Sequence, residues 1–111
     1  MAEAYKYSSV QGTSAVTSYA TVYNTNESAT AVVSSIVVAN TAATAATYRI
    51  AIMGTEGTPA ATDAILAWDA TVPARDTVFL TIGAALGNSK FIRVSSSATT
   101  VTFTAFVSEI T

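Results

Sequence analysis

The chain has 111 residues, half of them hydrophobic and only 11% charged, with a net charge of −2 and neither cysteine nor histidine. That length suits one domain folding on a single core. The missing side chains exclude disulfide staples, the usual zinc, copper and haem ligands, and a Ser-His-Asp arrangement. Binding nucleic acid needs clustered positive charge, and Lys6, Arg49, Arg75, Lys90 and Arg93 are scattered, so nucleic acid is not an expected partner. The segment Met1–Lys6 carries charge and no apolar stretch, unlike a signal peptide. No run approaches the roughly 20 apolar residues that span a bilayer, so a soluble protein made in the cytoplasm is expected, with no membrane partner. Charge this sparse, against about 25% in ordinary soluble domains, points to a surface covered in the working state. The alternative is a monomer coated with Ser and Thr.

Residues 1–12 form a first segment, an N-terminal arm or edge strand, in which Tyr5 and Tyr7 alternate with Lys6 and Ser8. A frayed terminus is the plain alternative. Residues 13–111 form the main domain. From Ala15 to Tyr23, Tyr19, Thr21 and Tyr23 share one face of an expected strand, with Ala20 and Val22 on the other. Asn24–Ser28 has turn chemistry. Ala31–Asn40 and Thr47–Met53 are rich in β-branched residues and flank a short turn-prone link, the pattern of a β-hairpin. In the first run Val32, Ile36 and Val38 share a face, and Val33 and Val37 make the other apolar, as in a central strand. In the second, Tyr48, Ile50 and Ile52 oppose Thr47, Arg49 and Ala51.

Gly54–Asp63 reads as an exposed loop. Ala64–Asp69 is either a helical turn capped by Asp63 or, as its length favours, a short strand. Val72–Asp76 is a tight turn set by Pro73. Thr77–Ile82 places Val78, Leu80 and Ile82 on one face, Gly83–Ser89 turns the chain, and Lys90–Ser95 and Thr100–Ser108 complete it. In the last run Val101, Phe103, Ala105 and Val107 oppose Thr100, Thr102 and Thr104. About seven or eight short strands without a convincing helix predict a single all-β domain, an antiparallel sandwich or jelly roll.

Few residues offer chemistry. Gly54-Thr-Glu-Gly57 lacks the spacing and lysine of a phosphate loop. Glu56, Asp63, Asp69 and Asp76 include no pair spaced for glycoside hydrolysis and no dense D-x-D-x-D run for calcium, so neither a catalytic residue, a metal nor a cofactor is expected. Trp68 beside Asp69 is either a sugar-stacking platform or, more in keeping with a lone Trp, a core anchor or subunit contact. Tyr19, Tyr23 and Tyr48 suit an interface patch or the rim of the core. Arg49 and Arg93 interrupt apolar strands, as solvent-facing residues or as one side of an intersubunit ion pair. Tyr5, Tyr7, Tyr19, Tyr23, Arg49, Trp68 and Arg93 are therefore the candidate interface residues.

The order Ser35-Ile-Val-Val-Ala-Asn40, Thr47-Tyr-Arg-Ile-Ala-Ile52, Asp69 with Val72-Pro-Ala-Arg-Asp76-Thr-Val-Phe-Leu-Thr-Ile-Gly83, and Phe103-Thr-Ala-Phe106 resembles small virion structural proteins of tailed bacteriophages, including cyanophages. The resemblance implies a non-enzymatic particle component. It would decorate or cement the capsid as a symmetric oligomer, often a trimer, with the major capsid protein or other virion proteins as partners. A tail, baseplate or fibre component, with a possible glycan-binding role, is the competing implication. No functional residues carry over.

Overall fold

The computed structural model describes residues 3–59 and 63–111. Eight strands, β1 (Glu3–Gln11), β2 (Ala20–Asn24), β3 (Thr30–Asn40), β4 (Ala46–Met53), β5 (Ala64–Val72), β6 (Thr77–Leu86), β7 (Phe91–Ser96) and β8 (Val101–Ile110), form two four-stranded antiparallel sheets. Sheet A runs β1-β8-β3-β6 and sheet B runs β2-β7-β4-β5. Consecutive strands alternate between the sheets everywhere except β4–β5, which pair within sheet B. This double Greek-key winding is a jelly roll, and it bears out the expected all-β sandwich.

The core lies between the sheets. Val33, Ile36 and Val38 of β3 and Val101, Phe103 and Ala105 of β8 face Ile50 of β4 and Ile92 and Val94 of β7, all of them fully buried. Tyr48 meets Phe103 edge-on, with ring centroids 6.3 Å apart. The sheets join through corners that hold their own buried polar groups. At one end the Asn40 amide, 3% exposed, donates to Thr44 O and Pro73 O and accepts from Ala42 N and Thr100 Oγ1. One side chain thus ties three crossings together. At the other end Thr25 Oγ1 donates to Gly87 O at 2.6 Å and accepts from Lys90 N. Unpaired, such buried groups would each cost on the order of 1–3 kcal/mol.

Several local expectations change. Ala31–Asn40 and Thr47–Met53 are not a hairpin: β3 pairs with β6 and β8, β4 with β5 and β7. Two apolar runs with a short link look alike whether the chain folds back within a sheet or crosses to the other, and Asn40 makes the link a corner. In β3 a bulge between Val33 and Ser35 reverses the facing, so Ala31 and Val33 point inward with Ile36 and Val38, and Val32 points out. The strand expected from Ala15 starts only at Ala20, and a register break between Thr21 and Tyr23 turns Val22 and Tyr23 both into the core. Tyr19, Thr21 and Tyr23 therefore do not share a face. β6 continues through Gly83–Leu86, where a turn was expected, because Gly83 adopts φ +57° at a register break opposite β3. Ala64–Asp69 is strand, within β5. Of the expected 54–63 loop, residues 60–62 lie outside the described residues, as do residues 1 and 2 of the N-terminal segment.

Candidate interaction surfaces

The outer face of sheet A follows from register. Residues directly opposite in antiparallel strands share a face, so Tyr5, Tyr7 and Ser9 align with Ser108, Phe106 and Thr104, then with Val32, Ser35 and Val37, then with Ala85, Thr81 and Phe79. Among the described strand residues on this face, Glu3 at its corner is the charged one. The apolar side chains are open: Tyr5 is 83% exposed, Tyr7 and Phe79 each 70%, Val32 and Phe106 about 40%. Tyr7 and Phe106 rings lie 6.3 Å apart and tilted. An open groove of about 380 Å³ runs along Tyr5, Lys6, Tyr7, Val32, Ser34 and Phe106.

The outer face of sheet B is built differently. Ala51, Met53 and Ser95 belong to it by register with Arg93, Phe91 and Arg49, yet all three are buried. Segments from the protein's own loops reach over this face. Arg93 on β7 donates to Thr21 Oγ1 at 3.0 Å, to Tyr19 O and to Gly57 O. Thr21 Oγ1 in turn donates to Glu56 Oε2. Arg49 on β4 forks onto Asp69, Nε to Oδ1 at 2.7 Å and Nη2 to Oδ2 at 3.1 Å, and donates to Tyr19 OH. Its guanidinium lies 3.7 Å from the centroid of the Trp68 ring. Asp69 can present both oxygens because it sits in a β5 bulge with φ 52°, a left-handed conformation that Asp tolerates. The fork raises the Arg49 pKa and lowers that of Asp69. The Ser95 hydroxyl has no hydrogen-bond partner among the described residues.

A third cluster links β1 to sheet B. The Tyr23 hydroxyl donates to Glu109 Oε2 at 2.5 Å, and Lys6 Nζ donates to Glu109 Oε1 at 3.0 Å. Burial first, then the bond to Glu109 and its charge, push the Tyr23 phenol well above its ordinary pKa. The same Tyr23 bond, then Lys6, holds the Glu109 carboxyl below its ordinary value. Burial alone raises Tyr48.

The candidate residues therefore fall in three places. Tyr5 and Tyr7 lie on the outer face of sheet A. Tyr19, Arg49, Trp68 and Arg93 converge on the outer face of sheet B, where the Arg49 ion pair is internal to the chain rather than between subunits. Tyr23 is in the core, as is Tyr48. Phe79, Phe106 and Val32 were missed. For Phe79 the signal was legible, since Val78, Leu80 and Ile82 facing inward leave an aromatic on the outward side of the strand. Phe106 is legible in the same way from Phe103, Ala105 and Val107. Val32 was not, because the β3 bulge hides its facing. Among the described residues, no group of three or more carboxylates is placed to hold a metal ion. Glu56 accepts from Thr21, Asp69 from Arg49, and Asp76 from the Thr77 amide. No helix of the described residues is long and apolar enough to cross a membrane.

No protein-family model matches the chain, and no curated protein matches it at a significant level. Among solved structures it is similar to a pentameric capsid protein isolated from metagenomic phage sequences, with TM-score 0.40 and 15% identity, covering 93% of this chain and 59% of that one. It is also similar to the structure of infectious bursal disease virus Gt strain, with TM-score 0.21 and 11% identity, over 96% of this chain and 39% of that one. The chain thus spans less than two thirds of either protein.

Proposed function

We propose that this chain is a non-enzymatic virion structural protein that decorates and cements an assembled phage head, docking through the outer face of sheet A. The observation that carries the reading is that face itself, almost without charge and studded with exposed Tyr5, Tyr7, Phe79 and Phe106. Four strands about 4.8 Å apart and some nine residues long present on the order of 600 Å² before side-chain relief. That approaches the roughly 800 Å² per partner of a stable protein interface. Aromatic side chains with few charges are what the centre of such an interface contains. A cement that binds the assembled lattice and not its free subunits adds its binding free energy to the stability of the assembled state. The jelly roll is compatible with this role and does not dictate it.

The partner in this reading is the major capsid protein, and the working form is a symmetric oligomer in the virion. A tail or fibre role with glycan stacking on Trp68 is less well supported, because one face of that ring is taken by Arg49. Quantitative mass spectrometry of separated heads and tails decides between them. Hundreds of copies in the head fraction are expected. A few copies confined to tails would replace decoration with the fibre reading, and absence from both would end the virion reading.

A further inference from the structure

Each sheet has two edges, and three of the four are guarded against pairing with another chain. β2 has only five residues and a broken register. β5 carries two register breaks and the left-handed Asp69. β6 is broken at the left-handed Gly83. Shortness and bulges are the devices by which sheet edges avoid addition of further strands. β1 has none of them. It is nine residues long, holds unbroken register with β8, contains no proline, and is exposed from Glu3 to Tyr7. Its one inward-register charge, Lys6, is of the kind that can guard an edge, but its ammonium is drawn to Glu109 of the same chain at 3.0 Å.

We infer that β1 pairs antiparallel with β1 of a second copy, joining two A sheets into one eight-stranded sheet across a two-fold axis. The sequence of the strand selects the register. With Tyr7 on the axis, Tyr7 faces Tyr7, Tyr5 faces Ser9, Lys6 faces Ser8, Ala4 faces Val10 and Glu3 faces Gln11. All nine residues pair and no like charges meet. A shift of the axis to Lys6 sets lysine against lysine, which is unfavourable directly across strands. A shift to Ser8 leaves Glu3 and Ala4 unpaired and separates the tyrosines. The trimer that the phage resemblance implies would need β1 to add to a different edge, and the other edges are the guarded ones. A closed two-fold needs only the open edge to meet itself. The pairing also makes the two outer faces continuous, but it stands independently of the virion reading, since it concerns the purified chain alone.

Because the chain has no cysteine, single cysteines report the register without background. Residues directly opposite on antiparallel strands lie about 4.5–5.5 Å apart between Cα atoms, inside the roughly 4.4–6.8 Å that a disulfide bridges. Under oxygen with copper–phenanthroline, Tyr7→Cys is expected to form a covalent dimer. Tyr5→Cys is not, because its symmetry mate is four residues along the strand, about 14 Å away. Light scattering across a concentration series should give twice the 11.4 kDa protomer mass at the upper end. Tyr7→Lys should raise the dimer dissociation constant by about tenfold or more, with far-UV circular dichroism unchanged because Tyr7 projects into solvent. A chain monomeric at all concentrations, a trimer, or equal cross-linking of Tyr7→Cys and Tyr5→Cys would overturn the proposal.

Discussion

The two outer faces of this sandwich are treated in opposite ways. On sheet B the protein covers its own surface: Ala51 is 1% exposed and Ser95 fully buried, although both point away from the core between the sheets. Arg49, Asp69, Trp68 and Tyr19 then lock the cover in place with a forked ion pair and a stacked ring. On sheet A nothing comparable among the described residues is laid over Tyr5, Tyr7, Phe79 or Phe106, which are 41–83% exposed. The loops that cover sheet B come from the β1–β2 and β4–β5 connections, so the winding itself favours one face. The chain's few charges divide unevenly between the faces: Arg49, Asp69 and Arg93 stand on the covered face of sheet B, whereas Glu3 is the charged residue among the described strand residues on the outer face of sheet A.

The sharpest way to break this contrast is to place the same charge on each face. Met53→Asp buries a carboxylate opposite the apolar Phe91 and should cost about 3–5 kcal/mol in urea unfolding. Phe79→Asp on the open face should change the stability of the free protein by less than about 1 kcal/mol. Equal costs would remove the distinction. At the corner leading from β1 toward sheet B, Gly12 leaves no room for a side chain, since an added Cβ would lie 2.6 Å from Val101 O. Gly12→Ala should therefore cost about 1–3 kcal/mol.

Next in size is the bond between Tyr23 and Glu109, which ties sheet B to the last strand of sheet A. Tyr23→Phe should cost about 1–2 kcal/mol by denaturation, with Glu109 left one donor short. The pH profile carries the same signature. Glu109 and Asp69 have lowered folded-state pKa values, so their contribution is complete above the ordinary carboxylate range and is lost as pH falls through those lowered values. Tyr23 is raised, so its contribution is complete below pH 10 and is lost as pH rises through its folded value. Glu109→Gln should flatten the acid limb and Tyr23→Phe the alkaline one, measured as melting temperature against pH. The smallest effect is expected from Arg49→Met. The pair it removes is open to solvent on its Asp69 side, where screening leaves an ion pair little to contribute. Emission and acrylamide quenching of the single Trp68 should nevertheless change as the guanidinium leaves its ring.

Much of the fold was legible because alternation is local. Val78, Leu80 and Ile82, and likewise Val101, Phe103, Ala105 and Val107, face the core as their period of two requires. What could not be read was whatever depends on a distant partner. The β3 bulge at Ser34 exists only relative to β6 and β8, and it reversed the facing of Val32 and Val33. The link after Asn40 reads locally as a hairpin because what stabilises the crossing, Pro73 and Thr100, lies 33 and 60 residues away. The site divides along the same line. Tyr5 and Tyr7 were found from alternation within one strand. The gathering of Tyr19, Arg49, Trp68 and Arg93 on sheet B needed the loop geometry, and Tyr23 needed the register break in β2.

The most direct test of the account is side-chain oxidation footprinting of the free protein against the particle-bound protein, read at Tyr5, Tyr7, Phe79 and Phe106 on sheet A and at Trp68 on sheet B. The expected result is strong protection of the first four on the particle, with Trp68 as reactive as in the free chain. Protection of Trp68 while Phe79 and Phe106 remain fully reactive would contradict the assignment of the docking face to sheet A.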